Sequence, residues 1–99
     1  MRKAIVIGLA ALGLALVPAS APAAVRSCSA AVDFNLRITS ARNMTCGAAK
    51  FDMKRYRGSI RYRFTTPGGF VCTRSSGTST SGTWRCAKGT RAYRFAFSD

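Results

Sequence analysis

Apolar residues recur at two different spacings along the chain, and each spacing predicts a different element. Over residues 32–39 every second residue is apolar, which is typical of a half-buried strand. From Cys46 the spacing becomes that of a helix, with Asn43 or Thr45 available as the N-cap and Gly58 as the stop. The apolar stripe of this helix consists of Cys46, Ala49, Met53 and Tyr56.

Beyond the helix, alternation returns in four segments that predict further strands, at residues 60–64, 70–74, 83–86 and 91–97. The segment from Ser75 to Gly82 contains only Ser, Thr and Gly, and predicts an exposed, mobile loop. One face of the sheet would carry Ile60, Tyr62, Phe64, Phe70, Cys72, Trp84, Cys86, Tyr93, Phe95 and Phe97. With the helix covering that face, the fold class is α+β: one helix packed on a small antiparallel sheet, stapled by disulfides.

The opposite face of the predicted sheet is rich in arginine. Side chains alternate between the two faces of a strand, so the residues between the apolar positions point to solvent. These residues are Arg61, Arg63, Arg85 and Arg94. We expect them to form an anion-binding surface.

The first 23 residues have the pattern of a secretory signal peptide. Arg2 and Lys3 precede an unbroken run of apolar residues and Gly over residues 4–17. This run is shorter than the roughly 18 residues that a membrane-spanning helix needs, so we expect no transmembrane segment. Small residues before the predicted cleavage point after Ala23 complete the pattern. The sequence predicts a secreted protein with a single small domain over residues 24–99.

Charge and composition narrow the function. The chain has 16 Lys+Arg, three Asp, no Glu and no His. Removal of the signal peptide takes Arg2 and Lys3 and leaves a net charge of +11 on residues 24–99. A chain without His or Glu lacks the residues of the usual zinc sites, paired-carboxylate glycosidase sites and His-based acid–base catalysis. We therefore expect no enzyme, no metal and no cofactor.

Four cysteines in a small exported chain predict two disulfides. If residues 31–39 form one extended strand, Cys28 and Cys46 lie at its two ends, too far apart for a bond. Exclusion of that pair also excludes Cys72 with Cys86. Two pairings remain open, and Cys46–Cys86 with Cys28–Cys72 is preferred over Cys46–Cys72 with Cys28–Cys86.

Several short segments resemble a loose group of small exported four-cysteine proteins that is common in actinobacteria and has no known function. The resemblance rests on residues 44–49, 69–72 and 84–89 and on the alternating Arg and aromatic residues near the C-terminus. It extends from Cys28 to Phe97 and implies a secreted, disulfide-containing domain, but it supplies no activity and no catalytic residues to carry over. In that group the region of residues 60–64 is often an irregular loop, which differs from the strand predicted here.

Two functions follow as hypotheses. The first is a monomer that binds anionic polymers outside the cell, such as nucleic acid, a cell-wall polymer or an anionic glycan, through the arginine-rich face. Arginine suits this role because its planar guanidinium binds phosphate and carboxylate with two parallel hydrogen bonds. The alternative is a secreted interaction or inhibitor protein that presents the loop from Ser75 to Gly82 to an extracellular partner.

Overall fold

The computed structural model describes residues 24–99, so the predicted signal peptide lies outside the described residues. One helix and six strands follow in the order β1 (Val25–Asp33), β2 (Leu36–Arg42), α1 (Cys46–Lys54), β3 (Arg63–Thr65), β4 (Val71–Gly77), β5 (Ser81–Lys88) and β6 (Arg91–Ser98). The strands form one sheet in the order β1-β2-β6-β5-β4-β3, with every neighbouring pair antiparallel. The predicted α+β class, with one helix and a disulfide-stapled antiparallel sheet, is confirmed.

The alternation over residues 32–39 does not mark one strand, because the chain reverses direction within it. Asp33 pairs with Leu36 across a two-residue turn, and the Phe34 side chain in this turn is 100% exposed. Val32 and Leu36 both contact the core, so the alternation continues across the reversal. The turn also lacks the Asn-Gly or Asp-Gly pair that usually marks a two-residue hairpin.

Helix α1 begins where the sequence places it. Thr45 is the N-cap, and its hydroxyl oxygen accepts a hydrogen bond from the Ala48 backbone N–H at 3.0 Å. The helix packs against β1 and β2 and buries Ala49, Asp52 and Met53. The burial of Asp52 was not expected from its charge, but it lies on the same helix stripe as its two buried neighbours.

Aromatic side chains fill the space between the helix and the sheet. Trp84 and Phe95 stack with ring centroids 5.4 Å apart, and both are fully buried. Ile60 and Phe97 are half-buried, whereas Tyr62 is 58% exposed and is not buried as predicted. The remaining predicted inner residues are buried, namely Phe64, Phe70, Cys72, Cys86 and Tyr93.

Strand β3 is shorter than predicted and begins only at Arg63. The chain before it is irregular but held in place, because the Arg61 carbonyl accepts a hydrogen bond from Trp84 Nε1 at 2.8 Å. In addition, the Tyr62 carbonyl accepts from the Arg74 N–H at 2.9 Å. The segment therefore follows β4 without the regular alternation that would bury Tyr62.

The predicted mobile loop from Ser75 to Gly82 is instead the tip of a hairpin. Strands β4 and β5 extend into it and leave only residues 78–80 as the turn. Thr78 closes this turn, with its N–H donating to the Ser81 carbonyl at 2.8 Å. Gly77 has φ 89° and approaches the Gly82 backbone so closely that a side chain would collide there.

The two disulfides join Cys28 to Cys46 and Cys72 to Cys86. The preferred pairing and its alternative are therefore both wrong. The β1–β2 reversal returns the chain to the start of β1, and the Cα atoms of Cys28 and Cys46 lie 5.7 Å apart. Cys72 and Cys86 are direct partners on β4 and β5.

Candidate anion-binding face

The sheet face away from the helix carries a row of side chains that crosses all six strands. Successive cross-strand pairs place Ser27, Ser40, Arg94, Arg85, Thr73 and Arg63 side by side, one from each strand. Three of the four predicted anion-binding residues belong to it, and we call Arg63, Arg85 and Arg94 the arginine row. At the usual spacing between strands, the distance from Arg63 to Arg94 is roughly 14 Å.

Arg85 and Arg94 are direct partners across β5 and β6, and both side chains are exposed. Like charges at directly opposed positions destabilise an antiparallel pair. A bound anion would remove this repulsion, because it can accept hydrogen bonds from both guanidinium groups.

Arg42 on β2 adds a third guanidinium beside this pair. Its pairing partner is Ala92, two residues before Arg94 on β6, so Arg42 is the diagonal neighbour of Arg94. A depression of about 410 Å³ lies against this part of the face. Its lining residues are Arg42, Asn43, Arg85, Gly89 and Thr90. The depression is thus bounded by two arginines and by polar or small residues.

Asn43 fixes the rim of this depression. Its backbone is in the left-handed region at φ 56°, a conformation that asparagine tolerates better than most residues. Its side-chain Nδ2 donates to the Thr90 hydroxyl at 2.9 Å, which ties the end of β2 to the β5–β6 turn. This bond fixes the backbone directly after Arg42, which also lines the depression.

The three carboxylates of the chain lie away from the arginine row. Asp33 ends β1, and Asp99 follows β6 with its N–H bonded to the Thr80 carbonyl. Asp52 is buried beneath the helix, where it accepts hydrogen bonds from the Tyr93 hydroxyl at 2.7 Å and the Gly68 N–H at 3.0 Å. None of these three side chains belongs to the arginine row or lines the depression beside it.

The fourth predicted anion-binding residue, Arg61, is exposed but lies before β3 and outside the strand ladder. Sequence reasoning missed Arg42 and Arg37, which the register places on the same outer face of β2. The signal for Arg37 was present, because it alternates with buried Leu36 and Ile38. The bulge at Thr39 shifts that alternation by one residue between Arg37 and Arg42.

At the β3 edge of the sheet, an arginine lies between two aromatic rings. Arg74 Cζ is 5.2 Å from the centroid of the Tyr62 ring and 5.7 Å from that of Trp84. The Trp84 ring is fully buried, whereas the Tyr62 ring is more than half exposed. The Tyr62 ring is thus supported by a cation and open to solvent.

Comparison with known protein families, curated proteins and solved structures returns no match for this chain. In residues 24–99 we find no helix long and apolar enough to cross a membrane. Within the same residues there is no group of three or more side chains suited to holding a metal ion. The arginine row and the depression beside it are consequently the features on which a functional proposal rests.

Proposed function

We propose that this protein is a secreted, non-catalytic binder of anionic polymers, with the outer sheet face as its binding surface. The observation that carries the proposal is the direct pairing of Arg85 with Arg94, beside Arg42 and with no aspartate lining that part of the face. Opposed arginines cost stability in the free protein, and a bound polyanion would offset that cost.

The chemistry of arginine indicates which polymers suit this face. A guanidinium presents a planar fork of N–H donors that matches the oxygens of phosphate, sulfate or carboxylate. Positions along the arginine row are spaced by the distance between strands, about 4.8 Å or a multiple of it. A flexible chain with repeated anionic groups could contact several guanidiniums at once.

The test is binding to a phosphate polymer as a function of salt concentration. A protein that displaces counterions from phosphates loses affinity linearly with the logarithm of the salt concentration. Replacement of both Arg85 and Arg94 by Thr, a residue that suits strands, should reduce the slope of this plot by about two. Retention on immobilised single-stranded DNA or heparin gives a second readout.

Replacement of Arg26 and Arg57 by Thr is the matched control. Both side chains are exposed, and the change in net charge is the same, but neither residue belongs to the arginine row. The control should bind nearly as tightly as the unmodified protein. If the two double variants weaken binding equally, total charge rather than the outer face is responsible, and the proposal fails.

The inhibitor alternative loses the feature that motivated it. That hypothesis required a long exposed loop from Ser75 to Gly82, whereas the connection between β4 and β5 is only three residues long. The turn carries Thr and Ser, and lacks the aromatic or arginine side chains that dominate protein interfaces. We therefore favour the anionic polymer.

A further inference from the structure

Tyr62 is the aromatic residue whose exposure contradicts the sequence pattern. Strand alternation predicted a buried ring, yet the side chain is 58% exposed. Its backbone is not loose, since its carbonyl accepts a hydrogen bond from the Arg74 N–H and the neighbouring Arg61 carbonyl accepts from Trp84 Nε1. An exposed ring is therefore held at a fixed place on the surface.

The Tyr62 ring has a guanidinium over it, and the residue is more than half exposed. The Arg74 guanidinium is 5.2 Å from the centroid of this ring and 5.7 Å from that of the buried Trp84 ring. The stack of Trp84, Arg74 and Tyr62 is anchored in the core at one end and open at the other. A further planar group can extend the stack on the Tyr62 ring.

The stack and the arginine row meet at the β3 edge from opposite sides of the sheet. Arg74 pairs with the buried Trp84 and so lies on the side of the helix, whereas Arg63 lies on the outer face. Tyr62 directly precedes Arg63, the last member of the row, and the exposed Arg61 flanks it on the other side. Because β3 is the edge strand, no neighbouring strand separates the outer face from the Tyr62 ring. A polymer that contacts Arg63 can bend around this edge and place a group against the ring.

We propose that Tyr62 is a stacking platform for a base of single-stranded nucleic acid whose phosphates bind the arginine row. This inference rests on the proposed function and narrows its ligand class. Single-strand binders combine a cationic track for the backbone with aromatic rings on which bases stack. A duplex keeps its bases paired inside, and anionic glycans carry no aromatic base, so neither can use the platform in this way.

The test compares two dye-labelled oligomers of equal length, roughly twelve nucleotides, which lies within the range of single-strand binding sites. One is oligothymidylate, and the other has the same phosphates but abasic sugars. Fluorescence anisotropy should show that the oxidised protein binds oligothymidylate at least about fivefold more tightly. Tyr62→Ala should lower that affinity to the abasic level, because one base–aromatic stack is lost.

Three further measurements separate stacking from other effects. Abasic-oligomer affinity should be the same for Tyr62→Ala and the unmodified protein, which also shows that the variant is folded. Tyr62→Phe should bind oligothymidylate within about twofold of the unmodified protein, since it keeps the ring. Phe51→Ala should have no effect, although Phe51 is 63% exposed and has Arg55 over its ring at 5.4 Å.

The inference is overturned if Tyr62→Ala weakens both oligomers equally or neither of them. It is also overturned if a heparin fragment binds as tightly as oligothymidylate and loses as much affinity in Tyr62→Ala, because that result indicates contact with a sugar ring. In either case, abasic binding that depends on Arg85 and Arg94 leaves the proposed function standing. No binding to any of these polymers overturns both.

Discussion

Asp52 is the single residue on which the helix, the β3–β4 turn and β6 converge. Its carboxylate is buried and accepts hydrogen bonds from the Tyr93 hydroxyl and the Gly68 N–H. Asp52→Ala should lower the free energy of unfolding by about 2–4 kcal/mol, because it leaves a buried hydroxyl and a backbone donor without their acceptor. Asp52→Asn should lose less, since an amide can still bond both partners. Urea denaturation measures both, and equal, small losses would contradict this account.

Gly68 is glycine because the Asp52 carboxylate approaches its backbone. A Cβ at this position would collide with Asp52 Oδ1. Gly68→Ala should therefore destabilise the protein by about 1–3 kcal/mol, the usual cost of forced overpacking. The same change in an Asp52→Ala background should cost much less, and a double-mutant cycle measures the difference. Additive losses would show that the collision is not the cause.

Tyr93 makes stability sensitive to alkaline pH. Its burial, followed by its hydrogen bond to Asp52 and the charge of that residue, raises the pKa of the phenol far above its ordinary value of 10.0. Above pH 10 the unfolded chain therefore loses a proton that the native protein keeps, and stability falls as the pH rises. The stabilising contribution is complete below that pH and declines above it by about 1.4 kcal/mol per pH unit.

The predicted loss of stability at alkaline pH is tested with the Tyr93→Phe variant. This variant has a constant deficit at neutral pH from the lost hydrogen bond, but the deficit should shrink between about pH 9 and pH 11. Unfolding in urea at several pH values measures the trend. Parallel curves for the two proteins across this range would show that Tyr93 ionises alike in both states.

At the scale of elements, two hairpins determine the disulfide pairing. Trypsin should release the peptide of residues 27–37 linked to that of residues 43–50, and the peptide of residues 64–74 linked to that of residues 86–88. Mass spectrometry without reduction identifies both. Each bond should contribute about 3 kcal/mol by closing a loop of this length. Recovery of residues 27–37 linked to residues 64–74 would contradict the β1–β2 reversal.

The same two hairpins separate the features that the sequence predicted from those that it did not. Periodicity predicted the fold class and the buried positions Cys72, Trp84, Cys86, Tyr93 and Phe95. The helix stripe was right for Ala49 and Met53, but it omitted Asp52 and extended to Tyr56, beyond the end of the helix at Lys54. The pairing of Cys72 with Cys86 was also available, because the two residues lie on the two strands predicted on either side of the loop. It was excluded only through the error made for Cys28 and Cys46.

The reversal between β1 and β2 could not be predicted from the alternation of apolar and polar residues. Phe34 and Asn35 form the turn, and an aromatic residue there looks like one more apolar position of a continuous strand. The arginine face could be predicted only in part, because regular alternation reveals some of its residues and not others. Arg63, Arg85 and Arg94 come from strands with clean alternation, whereas Arg42 follows a bulge that no periodicity reveals.

At the scale of the whole molecule, the excess positive charge lowers the stability of the free protein and favours the binding of polyanions. If the arginine row serves to bind a polyanion, Arg94→Glu should stabilise the free protein while it weakens binding. The new carboxylate would face Arg85 directly and replace a repulsion with an attraction, a gain of about 0.5–1 kcal/mol. The gain should shrink as salt is added, since both groups are exposed.

Arg26→Glu is the matched control for this prediction. It changes the net charge by the same amount, but the partner of Arg26 across β1 and β2 is Ala41 rather than an arginine. It should stabilise the fold less and leave most of the affinity for single-stranded DNA. Thermal unfolding and salt-dependent binding of both variants measure the trade-off. If Arg94→Glu fails to stabilise the free protein more than Arg26→Glu does, the opposed arginines carry no cost, and their pairing ceases to be evidence for a bound anion.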